Sequence, residues 1–197
     1  MNEKKTKIKA VGLIVEDKSD FDSFKILISR ITDKNNLTFK RAIGHGCGKL
    51  RRKASSYCQN LKRKGCNLII LVHDLDRNNF TNLESELNIL ISSSPAKYNF
   101  VCIPIEEIEG WFLSDPEGIK ETFKLKRKPK INGNPETISS PKEQLEDYVY
   151  YCSEKSKRYL NTKHNSKLAE KICLEKMRNK CPSFNQLFDE LKLYEFG

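Results

Sequence analysis

The chain has 197 residues, with 36 lysines and arginines against 26 aspartates and glutamates, a formal charge of +10. That length suits about one domain, large enough to bury a core without disulfide or metal staples, and its Ile-, Leu-, Val- and Phe-rich segments exclude global disorder. Apolar runs such as Leu68–Val72 fall far short of the roughly 20 residues of a spanning helix, so no membrane association is expected.

Ile8–Val15 (IKAVGLIV) is an apolar, β-branched run that predicts a buried strand. Asp17 or Ser19 can cap the next element, and Phe21, Phe24, Leu27, Ile28 and Ile31 recur at helical spacing. Leu37–Ile43 suits a second strand. The loop Gly44–Gly48 leads into a basic helix over Lys49–Arg63, stopped by Gly65. Asn67–Val72 is a third strand, ending in the polar tip His73-Asp74-Leu75-Asp76-Arg77-Asn78. Phe80, Leu83, Leu87, Leu90 and Ile91 mark a helix that stops near Pro95. Asn99–Ile105 is a fourth strand. Helices then begin at Ile108 and at Pro116, the latter a proline in a first turn. Three further helices are expected over Pro141–Cys152, Ser166–Arg178 and Ser183–Lys192.

The order β-α-β-α-β-α-β-α predicts an α/β fold, a parallel four-strand sheet flanked by helices, with a C-terminal helical extension. The expected organisation is an α/β domain over 1–124, a basic loop rich in Pro, Gly and Ser over 125–140, and a helical extension over 141–197 packed on the first part.

Seven cysteines, none in a CxxC pair, exclude the closely spaced ligands of a zinc site. Reduced thiols in a cytoplasm are the expectation, and the lysine-rich start lacks the apolar stretch of a signal peptide. The map of the charge is more informative than its sum. Lys49–Lys64 carries seven basic residues and no acid, Lys120–Lys130 six basic residues and one acid, and Glu106–Glu117 five acids and no base. Basic blocks bracketing an acidic one point to a polyanionic partner. Lys49, Arg51 and Arg52 in the first block and Lys126, Arg127 and Lys128 in the second are the candidate nucleic-acid contacts.

In parallel α/β sheets, ligands bind beyond the carboxyl ends of the strands. Glu16 follows the first strand, Asp74 and Asp76 the third, and Glu106, Glu107 and Glu109 the fourth. Three strands thus end in acids on one sheet edge, and clustered carboxylates repel unless something neutralises them. Magnesium prefers oxygen ligands, often one or two carboxylates with waters and phosphate oxygens. Two such ions about 4 Å apart can activate water and stabilise the leaving oxygen of a phosphodiester. Taken singly, Asp74 or Asp76 is also ordinary turn chemistry, and Asp20 an ordinary acid in a first helical turn. Which of Glu106, Glu107 and Glu109 takes part stays open. The Gly44–Gly48 loop departs from a Walker A motif, because its glycines are too close and Leu50 stands where Ser or Thr belongs. His45, His73 and His164 are not spaced as a metal set.

Glu16 in Leu13-Ile-Val-Glu-Asp-Lys-Ser-Asp20 and the Asp74-Leu75-Asp76 pair resemble the TOPRIM superfamily, the magnesium-dependent catalytic domain of topoisomerases, primases and several nucleases. The Glu16-to-Asp20 spacing looks like the ExxxD form of OLD-type (overcoming lysogenization defect) nucleases. The Ile103-Pro-Ile-Glu-Glu-Ile-Glu-Gly-Trp-Phe-Leu-Ser-Asp115 segment is similar to a signature of small TOPRIM-like proteins, and Ser140-Pro-Lys142, Leu168–Ile172 and Cys181-Pro-Ser-Phe184 extend the likeness over nearly the whole chain. The resemblance implies a TOPRIM-like sheet and a metal-dependent nuclease that cleaves DNA or RNA with Mg²⁺ or Mn²⁺. Glu16 would be metal ligand and base, Asp74 and Asp76 metal ligands, and Asp20 with Glu109 ligands of a second ion. Lys142 would stabilise phosphate charge. It further implies a role as effector of a bacterial anti-phage system, beside an ABC- or AAA-type ATPase partner. The alternative is a non-catalytic nucleic-acid-binding or regulatory subunit of such a complex. DNA or RNA, endo- or exonuclease, and monomer or homo-oligomer are left open.

Overall fold

The computed structural model describes residues 7–197. Four strands, β1 (Ala10–Val15), β2 (Thr38–Ile43), β3 (Leu68–Val72) and β4 (Tyr98–Cys102), form one sheet in the order β2-β1-β3-β4, and every pair is parallel. The central strands are β1 and β3. Both faces of a parallel sheet are covered by its crossover helices, so central strands read as unbroken apolar runs. Accordingly all five residues of β3 are buried.

The side-chain period of two divides the core. Val11, Leu13 and Val15 of β1 and Leu68, Ile70 and Val72 of β3 face one layer, while Ile14, Ile69 and Leu71 face the other. The second layer contains α2 (Cys47–Arg63) and α3 (Phe80–Ser92), through Leu50, Ala54, Leu61, Leu83 and Leu87. The first layer is larger. It holds α1 (Lys18–Thr32), α4 (Glu109–Phe112), α5 (Pro116–Phe123), α6 (Pro141–Cys152), α7 (Asn161–Lys171), α8 (Leu174–Lys180) and α9 (Pro182–Lys192). Leu145 of α6, Leu168 of α7 and Phe184 of α9 share a single apolar cluster with Leu13 and Trp111. The helical tail is thus part of the core of the sheet. Trp111 is fully buried between Phe24 and Phe184, edge-on to both, and its indole N–H donates to Ser183 Oγ at 2.7 Å.

Several boundaries differ from the sequence expectation, three of them with a structural consequence. β4 ends at Cys102 rather than Ile105, although the chain beyond it keeps company with the end of β3: Leu75 N–H reaches Pro104 O at 3.0 Å. Proline has no N–H to extend a ladder. Ile8 lies before β1 and pairs with Phe196 in an isolated parallel bridge. The single helix expected over Ser166–Arg178 is two, α7 and α8, with extended backbone at Ile172 and Cys173. The cause is remote. Asp115, buried at the start of α5, accepts the Cys173 N–H at 3.0 Å and binds Lys176 at 2.6 Å, capping α8 from across the core. No described helix is long and apolar enough to cross a membrane.

Candidate metal centre

The sheet delivers its acids to one end. Glu16 leaves β1 directly. Asp17 caps α1 and forms a reciprocal capping box with Asp20, whose N–H donates to Asp17 Oδ1 at 3.0 Å while Asp17 N–H donates to Asp20 Oδ2 at 3.2 Å. Asp74 and Asp76 leave β3, and Glu107 and Glu109 follow β4. These seven carboxylates line one cleft of about 170 Å³, joined by Lys142 from the first turn of α6 and by Asn161 and Asn165 from α7. The backbone around the cleft is strained: Asp76, Arg77 and Glu106 have φ of 48°, 61° and 57°, a conformation that costs a non-glycine residue about 1 kcal/mol or more.

Crowding shows in the proton affinities. Burial, then the Asp17 charge, raises the Asp20 carboxyl to about 7. Asp74 is pushed well above the ordinary carboxylate range, first by burial and then by Asp20, Glu109, Asp76 and Glu107. Burial and the Glu109 charge raise Glu107 to about 7, against the opposing pull of the Lys142 ammonium and of the Lys142 backbone N–H. A lone amine does not balance seven acids.

The donor set is all oxygen, which suits a hard cation. Among the described residues, no three His, Cys, Asp or Glu side chains already converge as a finished coordination shell. Magnesium does not need one, since it keeps several waters and takes one or two carboxylates. Asp74, whose neighbours include Asp20 and Asp76, and Glu16 line the same cleft and would be available as ligands. The residues therefore fit a divalent ion.

Three side chains hold the acids in place. Glu109 is buried, and its Oε1 accepts from Tyr159 Oη at 2.5 Å and from Asn165 Nδ2 at 3.1 Å. Both donors are themselves buried and come from the helical tail. Burial and the Glu109 charge push the Tyr159 phenol far above its usual range, so it stays a donor. On the other side, Cys47 Sγ donates to Glu16 Oε2 at 3.0 Å and lies 3.4 Å from Asp76 Oδ2. Burial and these two acids hold the thiol protonated. Alkylation of Cys47 at pH 8 is therefore expected to be slow and to speed up in Glu16→Gln, as read by peptide mass spectrometry. An equal rate in both would mean that the Glu16 contact does not govern the thiol.

The glycine loop has a packing role. A Cβ on Gly44 would fall 2.5 Å from Leu50 Cβ, and Gly46, the N-cap of α2, has φ of 107°. Together they let α2 start close enough for Cys47 to reach Glu16. Helix α2 begins at Cys47, two residues before the expected Lys49.

The predicted site residues divide. Glu16, Asp20, Asp74, Asp76, Glu109 and Lys142 all line the cleft. Arg51 sits beside it, with Nε 3.2 Å from His73 Nε2 and its guanidinium paired to Glu86 at 3.3 Å. Lys49 and Arg52 lie on α2 and outside the cleft lining. The second basic block is elsewhere. Lys126 pairs with Glu154 at 2.6 Å, Lys128 with Glu117 at 2.9 Å, and Arg127 donates to Tyr151 O at 3.3 Å. Tyr151 and Glu154 flank the C-terminal end of α6, whereas Lys142 is at its start. Twelve residues of helix separate the two by roughly 16 Å. Sequence reasoning missed Asp17 as a lining residue, Cys47, Asn161, Asn165 and Tyr159. The Asn161/Asn165 pair, four apart on α7, is the one available signal, placing two amides on one helix face.

A family model described as a domain of unknown function, DUF4276, matches residues 15–192. No curated protein and no solved structure matches the chain. The matched span opens one residue before Glu16 and runs through α9, so it contains every carboxylate of the cleft and the tail residues that hold Glu109. The chain belongs to the DUF4276 family.

Proposed function

We propose that the protein is a divalent-metal-dependent phosphodiesterase acting on nucleic acid. The observation that carries this reading is the convergence of carboxylates from the ends of β1, β3 and β4, with Asp20 of α1, in one cleft. Asp74 and Asp76 hold the metal side of the site, with Asp20 and Glu109 available to a second ion. Glu16, at the mouth of β1, accepts the proton of the attacking water. Lys142 sets an ammonium at the rim, where a phosphate oxygen gains negative charge. Tyr159 and Asn165 fix the Glu109 carboxylate so that it does not swing toward the phosphate. A bound divalent ion supplies Lewis-acid stabilisation of the phosphate and a more acidic water. The TOPRIM resemblance adds the setting of an anti-phage effector working beside an ATPase.

The test is incubation of the full chain, alone and with any ATPase encoded beside it, with single-stranded and duplex DNA and with RNA in Mg²⁺ or Mn²⁺. Metal-dependent cleavage that EDTA abolishes supports the reading. Binding without turnover under every condition would leave the non-catalytic alternative.

A further inference from the structure

Lys126 and Lys128, expected to hold phosphate, are paired with local acids, and three cations elsewhere are not. Strand β2 is a sheet edge. A groove of about 340 Å³ runs over it, lined by Phe21, Phe39, Lys40, Arg41 and Lys64. No acid lines this groove. Among the described residues Lys40, Arg41 and Lys64 form no ion pair, in contrast to Lys126 and Lys128. The exposed Arg41 guanidinium instead lies over the Phe21 ring, 5.5 Å from its centroid. The two rings, Phe21 only 9 % exposed and Phe39 half-buried, and three cations without an ion pair among the described residues therefore line one concave surface.

Its position relates it to the cleft. Phe21 follows Asp20 directly in the first turn of α1. Arg41 is level with Leu13 in the β1 ladder, and Ile43 with Val15, the residue before Glu16. Arg41 is thus three residues of strand, about 10 Å, short of the level of Glu16. A chain lying along the β2 edge and continuing in that direction would head for the carboxylate cleft.

We infer that the Phe21–Phe39–Lys40–Arg41–Lys64 groove is a binding track for single-stranded nucleic acid that leads into the carboxylate cleft. Aromatic faces accept unpaired bases without regard to sequence, and cations follow the backbone. In a duplex the base faces are already stacked on one another, so the rings have nothing to receive. The inference rests on nucleic acid being the substrate class of the proposed function.

The test is fluorescence anisotropy on the full chain with metal chelated, using a labelled oligothymidylate, an oligouridylate and a duplex of equal length. Single strands are expected to bind at least about tenfold tighter than duplex, and Phe39→Ala to weaken them roughly fivefold or more. Arg41→Gln and the Lys40→Gln/Lys64→Gln pair remove charge from exposed or half-buried side chains without emptying any apolar volume, which keeps the test independent of folding. The lysine pair is expected to flatten the salt slope by about 1.4, at about 0.7 per lost phosphate contact. The Lys126→Gln/Lys128→Gln pair is expected to bind like the wild type. Equal affinity for duplex, or unchanged binding in the groove variants, overturns the inference. So does a change in sedimentation in place of affinity, because the groove would then join two copies of the chain. A cleavage assay beside the binding assay separates the two readings: groove-dependent binding without cleavage by the wild type counts against catalysis alone, whereas cleavage with binding indifferent to the groove variants counts against the track alone.

Discussion

Asp74→Asn is expected to raise the melting temperature of the metal-free protein, although it removes a central residue of the site. Asp74 is crowded by Asp20, Glu109, Asp76 and Glu107, and burial denies its charge the solvation it has in the unfolded chain. An amide keeps the shape and removes the repulsion. A gain of about 1–3 kcal/mol is the scale of a relieved buried charge, or roughly 2–10 °C for a chain of this size. Calorimetric melting in EDTA measures it, and a clear fall would mean that the carboxylate anchors the fold.

The pH dependence follows with a definite sign. Asp20 and Glu107 hold protons up to about pH 7 in the folded chain, against ordinary values of 3.8 and 4.5. Between those limits the folded state binds more protons than the unfolded state, so the contribution of these groups falls as pH rises from about 4 to about 7. The metal-free protein is therefore expected to lose stability across that window. Saturating Mn²⁺ should reverse the slope, because a cation favours the ionised carboxylates. A metal-free melting temperature that climbs steadily from pH 5 to pH 8 would contradict the assignment.

Glu16→Ala is expected to lower kcat by at least about 10³-fold, within the range for loss of a general base and with ligand loss added. The change removes the partner of the Cys47 thiol but no apolar contact, so the fold should persist, as circular dichroism can check. Cleavage within tenfold of wild type would remove Glu16 from the chemistry. The Tyr159→Phe variant offers a graded comparison. It deletes one of two donors to Glu109 while leaving the ring, which lies edge-on to Phe123.

The sheet was legible because its strands are continuous apolar runs separated by amphipathic helices, and a parallel sheet places strand ends together without further information. For the same reason Glu16, Asp74, Asp76 and Glu109 could be assigned to one edge before any coordinates. The limits lie in long-range contacts. Nothing in the spacing of residues 166–178 announces a break at Ile172–Cys173, because the cap that makes it is Asp115, 58 positions away. The buried Tyr159 and Asn165 follow the same rule: a polar residue reads as surface until a distant carboxylate supplies its partner. Composition likewise does not show that in the 120–130 block Lys126 and Lys128 meet Glu154 and Glu117 once the chain folds. The less conspicuous Lys40, Arg41 and Lys64 form no ion pair among the described residues and converge only across β2 and the end of α2.

The tail also bears on how the protein is divided. Residues of α6, α7 and α9 complete the apolar layer under the sheet, and α7 contributes two amides to the cleft. A chain cut after residue 124 would expose that layer and free Glu109 from its donors. The sheet and the helical extension thus form one site.

The most direct measurement is calorimetric titration of Mn²⁺ into wild type and Asp74→Asn at neutral pH. Saturable binding in the wild type, weakened at least about tenfold in the variant, is the expected result. Equal binding by both proteins, or none by the wild type, would contradict a metal centre in the carboxylate cleft.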